Sequence, residues 1–76
     1  GVHGAVGASV RELNLHGRSG ATILCISRRG EGLIAPAGEV RFETGDLVTL
    51  AGSQEAIAAA REVLVAGVAA VEPSGP

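Results

Sequence analysis

Short apolar runs separated by glycine-rich or charged stretches set the pattern of this chain. The longest, Gly20-Ala21-Thr22-Ile23-Leu24-Cys25-Ile26-Ser27-Arg28, is rich in β-branched residues. Its two alternating sets are both mainly apolar: Ala21, Ile23 and Cys25 against Thr22, Leu24 and Ile26. A short run that is apolar on both sides is expected of a strand covered on both faces, so this stretch is predicted as the central strand. Arg29-Gly30-Glu31-Gly32 has the composition of a hairpin turn. Leu33-Ile34-Ala35 then reads as a short return strand that Pro36 stops or confines to an edge. Val40-Arg41-Phe42 alternates and predicts another short strand. After the turn Glu43-Thr44-Gly45-Asp46, Leu47-Val48-Thr49-Leu50-Ala51 predicts a further well-defined one.

Two segments follow the helical period instead. Ser9 is positioned to cap a short helix over residues 10–15, with Glu12 as its capping-box partner and Val10 and Leu13 on one face. His16-Gly17-Arg18-Ser19-Gly20 is predicted to break that helix and lead into the central strand. Ser53 is expected to cap a helix of about three turns, with Glu55 in its first turn favourable to the dipole. Ala56, Ile57, Ala60, Val63 and Leu64 fall on one arc of it, and Gln54, Glu55, Arg61 and Glu62 lie elsewhere. Gly1-Val2-His3-Gly4-Ala5-Val6-Gly7 reads as a loop or the end of an edge strand. The predicted class is α+β: a small, mainly antiparallel sheet with a short N-terminal helix and a longer C-terminal amphipathic helix packed on it. It forms a single domain over residues 1–76, with a core at about 6–66 and a tail over 67–76.

Composition sharpens this picture. A chain of 76 residues makes one domain and buries only about 60% of its unfolded surface, so a net stability of a few kcal/mol is expected. Phe42 is the one aromatic residue, so the core must come from Val, Ile, Leu and Ala. With 46% apolar residues, some apolar surface should be left over and favour association with another subunit. Six basic against eight acidic residues leave a formal charge of −2, which does not attract nucleic acid. The lone Cys25 excludes an internal disulfide and is expected to be a buried small hydrophobe. No signal peptide and no apolar run near the ~18 residues of a membrane span is visible. The chain starts at Gly rather than Met, which suggests a piece of something longer.

Candidate chemistry is sparse. There is no Ser/His/Asp motif and no phosphate-binding Walker loop, and His3 and His16 lack any recognised metal-ligand spacing, so no enzymatic activity is expected. Gly45-Asp46 reads as turn chemistry and Arg28-Arg29 as a solvated surface pair. Gly17-Arg18-Ser19-Gly20 has the Gly-x-x-Gly spacing that clamps RNA backbone in KH domains, but that loop joins two helices and here a strand follows. His16 and Arg18 make a small, potentially cationic cluster before the central strand. It is either a solvated loop or a place to meet a phosphate, as Arg does through paired hydrogen bonds.

The order of these pieces resembles a known family. Val10-Arg11-Glu12-Leu13-Asn14-Leu15, the strand entry Arg18-Ser19-Gly20-Ala21, Pro36 after the short strand, and Gly45-Asp46-Leu47-Val48-Thr49-Leu50-Ala51-Gly52-Ser53 are similar to the TrkA C-terminal domain, also called RCK-C, over roughly residues 6–65. The resemblance implies a cytosolic regulatory domain of a potassium or other monovalent cation transporter, a channel or a cation/proton antiporter. Such a domain is the same chain as the membrane transporter or a partner subunit of it, on the cytoplasmic face of the membrane. It dimerises and gates transport on binding a small ligand. Some members bind cyclic di-adenosine monophosphate (cyclic di-AMP) between two protomers, which implies that dinucleotide or another nucleotide as regulatory ligand. Carried over, the ligand positions are Asn14, His16, Gly17, Thr22, Ile23 and Pro36, and Arg18 joins them from the cationic cluster. His16 stands where nucleotide-binding members tend to have an arginine, and Thr22 where they tend to have an asparagine. The family's first strand is expected to be largely missing, since few residues precede the match. A purely structural dimerisation module without ligand is the alternative, with a KH-like RNA-binding module behind it.

Overall fold

The computed structural model describes residues 5–64 and 68–71. In chain order the elements are α1 (Val10–Leu13), α2 (Leu15–Ser19), β1 (Thr22–Arg28), β2 (Gly32–Ile34), β3 (Asp46–Ala51), α3 (Gln54–Leu64) and β4 (Val68–Val71). The four strands form one sheet in the order β2-β1-β3-β4. β1 lies between β2 and β3 and is antiparallel to both, whereas β4 runs parallel to β3. The chain is thus α+β with a mainly antiparallel sheet around β1, as the pattern predicts.

Local chemistry explains most of the boundaries. The capping box forms: the Ser9 hydroxyl accepts from the Glu12 N–H at 3.1 Å, and the Ser9 N–H donates to the Glu12 carboxylate at 3.0 Å. Ser9 itself is buried. Ser9→Ala is expected to cost about 1 kcal/mol. In a domain of this size that is a fall of roughly 4–8 °C in melting temperature, read by thermal denaturation. Ser53 caps α3 by accepting from the Ala56 N–H at 3.0 Å. Ala56, Ile57, Ala60 and Leu64 are buried along the predicted arc. At the entry to β1, Gly20 ends α2 with φ of 86°, a left-handed conformation that glycine adopts without strain. The Ser19 hydroxyl donates to the Leu15 carbonyl and accepts from the Ala21 N–H, which ties the strand entry to α2.

Register divides the sheet into two unlike faces. Val48 and Leu50 of β3 and Ile26 of β1 are buried in one cluster with Leu13, Leu15, Phe42 and the arc of α3. Outward positions in register carry Leu33, Ser27, Leu47 and Ala69 in one row and Cys25, Thr49 and Val71 in the next. None is charged. Leu33 is 76% exposed, Leu24 48% and Leu47 43%. The pairing of β1 with β3 shifts between Ile23 and Cys25, so Leu24 occupies an irregularity and projects to solvent.

The structure corrects several expectations. β1 is not covered on both faces, because the buried side chains of all three helices join the inner cluster; Cys25 is accordingly half-buried rather than buried. The predicted helix over residues 10–15 is two helices, because Asn14 takes a left-handed conformation (φ 51°, ψ 48°) and turns the chain. His16, Gly17, Arg18 and Ser19 continue in α2 instead of forming a loop. Arg41 and Phe42 form only isolated bridges, to Ser9 and Val6, since their neighbours there are a cap and a turn rather than a strand. Part of the expected tail is β4, carried back beside β3 by the crossover through α3, the connection that parallel pairing requires. Residues 1–4 of the predicted N-terminal loop and the last five of the tail lie outside the described residues.

Candidate functional site

At the end of the sheet where β1 begins, α1, α2 and the turn at Pro36 surround a cavity of about 310 Å³. Its wall is Val10, Arg11, Asn14, Leu15, His16, Thr22, Ile23 and Pro36, four apolar residues and four polar ones, with more apolar than polar surface. That is the composition of a small-molecule site, and its size is at the lower end of the ~300–1,000 Å³ such sites span. No carboxylate contributes to the wall.

Five of the seven sequence-derived positions meet in this cavity: Asn14, His16, Thr22, Ile23 and Pro36. Asn14 lines it from the left-handed turn between α1 and α2. Gly17 is not in the wall. A Cβ there would lie 2.5 Å from the Asn14 amide nitrogen and 2.7 Å from its oxygen, so Gly17 makes room for Asn14 to lie against α2. Arg18 is also outside the wall; it is exposed on α2, and its N–H donates to the Asn14 carbonyl. Val10, Arg11 and Leu15 complete the wall and were not apparent from the residue types. The signal for two of them was present, since Val10 and Arg11 stand four and three positions before Asn14 and so share its side of a helical turn.

Thr22 belongs to the cavity wall and also to the outer sheet face, where it pairs with Ala51. The cavity therefore borders the uncovered apolar face.

The second polar centre is structural. Arg28 is 12% exposed and donates from Nε to Asp46 Oδ1 and from Nη2 to Asp46 Oδ2, both at 2.9 Å, and from Nη2 to the Arg41 carbonyl at 2.7 Å. Glu43 approaches the same guanidinium at 3.1 Å, and the Glu43 N–H donates to Asp46 at 2.9 Å. Those hydrogen bonds from Arg28 hold the Asp46 carboxyl below its usual range and push the guanidinium pKa further up. Arg28 is thus no surface residue, and Asp46 does more than close its turn. Arg29 alone matches the predicted exposure. Among the described residues no group of three His, Cys, Asp or Glu side chains is placed to hold a metal. His3 lies outside them.

The family model described as the TrkA-C domain matches residues 3–65. The chain belongs to that family, the regulatory domain of monovalent cation transport systems, whose members associate with membrane cation transporters. Comparison with curated proteins finds no match to this chain. Comparison with solved structures also finds none. Among the described residues no helix is long and apolar enough to cross a membrane.

Proposed function

We propose that this chain is a ligand-sensing, dimer-forming domain that gates a potassium or other monovalent cation transporter, channel or antiporter, from the cytoplasmic face of the membrane. The regulatory ligand is a nucleotide, cyclic di-AMP first among them, and the chain has no enzymatic activity of its own. The observation that carries this reading is the cavity at the start of β1, lined by Asn14, His16, Thr22, Ile23 and Pro36. A cavity of about 310 Å³ holds one base and its sugar better than a whole dinucleotide. Two copies placed across a two-fold axis would each take one half of a symmetric ligand. The uncharged outer sheet face beside Thr22, with Leu24, Leu33, Leu47 and Val71 exposed, supports pairing with a second copy without like-charge repulsion. Binding would then favour one dimer geometry, and the transporter would follow that population shift.

Thermal denaturation with added cyclic di-AMP tests the reading. At a hundredfold excess over Kd, stabilisation of about 2.7 kcal/mol is expected, a rise of roughly 10–20 °C in a domain of this size. Thr22→Ala should lose most of that rise while melting near the unliganded wild type, and Asn14→Ala should lose it from a lower starting point, because alanine is strained in the left-handed conformation that Asn14 adopts. An unchanged melting temperature for wild type with cyclic di-AMP and with ATP and AMP would favour a purely structural dimerisation module.

A further inference from the structure

The cavity contains a cation that the resemblance did not supply. We infer that Arg11 is the residue that binds the anionic part of the ligand, and that Gly38, having no Cβ, leaves the room its guanidinium occupies. This rests on the cavity being the nucleotide site proposed above. All six basic residues of the chain are arginines, and most are committed or misplaced. Arg28 is held by Asp46 and Glu43, and Arg41 donates to Glu12 and to the Gly7 carbonyl. Arg18 is outside the wall, and Arg29 borders a different cleft that it shares with Glu43. Arg11 lines the cavity, and among the described residues it has no ion-pair partner.

Its position is built rather than accidental. The Val10 N–H donates to the Val40 carbonyl at 2.8 Å and the Arg11 N–H to the Gly38 carbonyl at 3.1 Å, so the 38–40 segment is pinned along α1. The Arg11 guanidinium lies against Gly38. A Cβ at position 38 would stand 2.8 Å from Nη2 and 3.1 Å from both Cζ and Nε. Gly38 does not have a positive φ, so an alanine there meets no left-handed backbone strain, and the atoms its Cβ would approach most closely are those of the guanidinium. Two glycines thus leave room for two polar groups of the cavity: Gly17 for Asn14, and Gly38 for Arg11. With no carboxylate in the wall, the planar fork of Arg11 is left to pair with phosphate oxygens, a role His16 fills poorly when neutral.

Calorimetric titration with cyclic di-AMP and with inorganic pyrophosphate, on the full 76-residue chain, tests this, together with the Arg11 Nε–Hε signal in ¹⁵N NMR. Arg11→Ala should weaken cyclic di-AMP binding about 10- to 100-fold, the loss expected for charge-assisted hydrogen bonds. Arg11→Lys should recover part of it, because an ammonium keeps the charge and loses the fork. Gly38→Ala should leave the circular dichroism spectrum unchanged, displace the Arg11 signal and weaken binding. Cyclic di-AMP affinity within twofold of wild type in Arg11→Ala would overturn the inference and leave the nucleotide site standing. An Arg11 signal that moves with pyrophosphate but not with cyclic di-AMP would uphold the anion site and reject the dinucleotide. A signal that neither probe moves would overturn the assignment of Arg11.

Discussion

Replacing Asp46 by alanine is expected to unfold a large fraction of the domain at room temperature. The substitution leaves the Arg28 guanidinium, itself largely buried, without the carboxylate that takes two of its hydrogen bonds. It also strips the Glu43 N–H of its acceptor. Breaking a buried pair by removing one partner costs about 3–5 kcal/mol. A single core in a chain this short rarely supplies more than about 3–5 kcal/mol, so the loss is comparable with the whole. Glu43 and Glu31 do not compensate, because both are exposed and pair weakly. Urea denaturation of Asp46→Ala should show little or no folded baseline, and the double variant Arg28→Met with Asp46→Leu should restore one. A single variant as stable as wild type would mean the pair contributes nothing. The same pair gives the pH dependence its sign. The folded carboxyl titrates below its ordinary value of about 3.9, chiefly because Arg28 donates to it. Its stabilisation is therefore complete above that value and lost as pH falls through the folded pKa. Melting temperature should decline on acidification from about pH 5, and the double variant Arg28→Met with Asp46→Leu should flatten that decline.

Phe42→Ala is expected to be nearly as damaging, by about 3–5 kcal/mol. Phe42 is 1% exposed and the largest side chain in a core otherwise built from Ala, Val, Leu and Ile. Its backbone also matters: the Phe42 N–H donates to the Ala8 carbonyl and its carbonyl accepts from the Gly7 N–H. Those bonds hold the segment before α1 against the segment before β3. The truncation therefore leaves a cavity in the core cluster that the strands and helices share, and such packed elements relax only partly to fill it. Phe42→Leu should cost distinctly less. Equal denaturation midpoints for the alanine variant and wild type would show that the core does not depend on the ring.

What was legible in the sequence was local. Ser9 with Glu12, Ser53 before the arc of α3, and the runs of β1 and β3 each state their structure within one turn or a few residues. The rest depended on distant partners. Val68–Val71 has only small apolar residues and becomes a strand because α3 delivers it to β3. Val40-Arg41-Phe42 has strand alternation but finds only single bridges. The Arg28–Asp46 pair spans eighteen positions, and its one sequence hint is a carboxylate in the inward register of β3 with Val48 and Leu50. At the cavity, the positions taken from the family resemblance mostly converge, and they missed the help each receives. Gly17 acts beneath Asn14 rather than in the wall, and Arg11 is visible only once α1 and the 38–40 segment are together.

The most direct test of the sensor reading is the stoichiometry of cyclic di-AMP in a calorimetric titration of the folded domain, with its mass followed by light scattering. One dinucleotide per two chains, with a dimer in the saturated state, is the predicted result. One dinucleotide per chain on a monomer, or no heat from a domain shown to be folded, would contradict it.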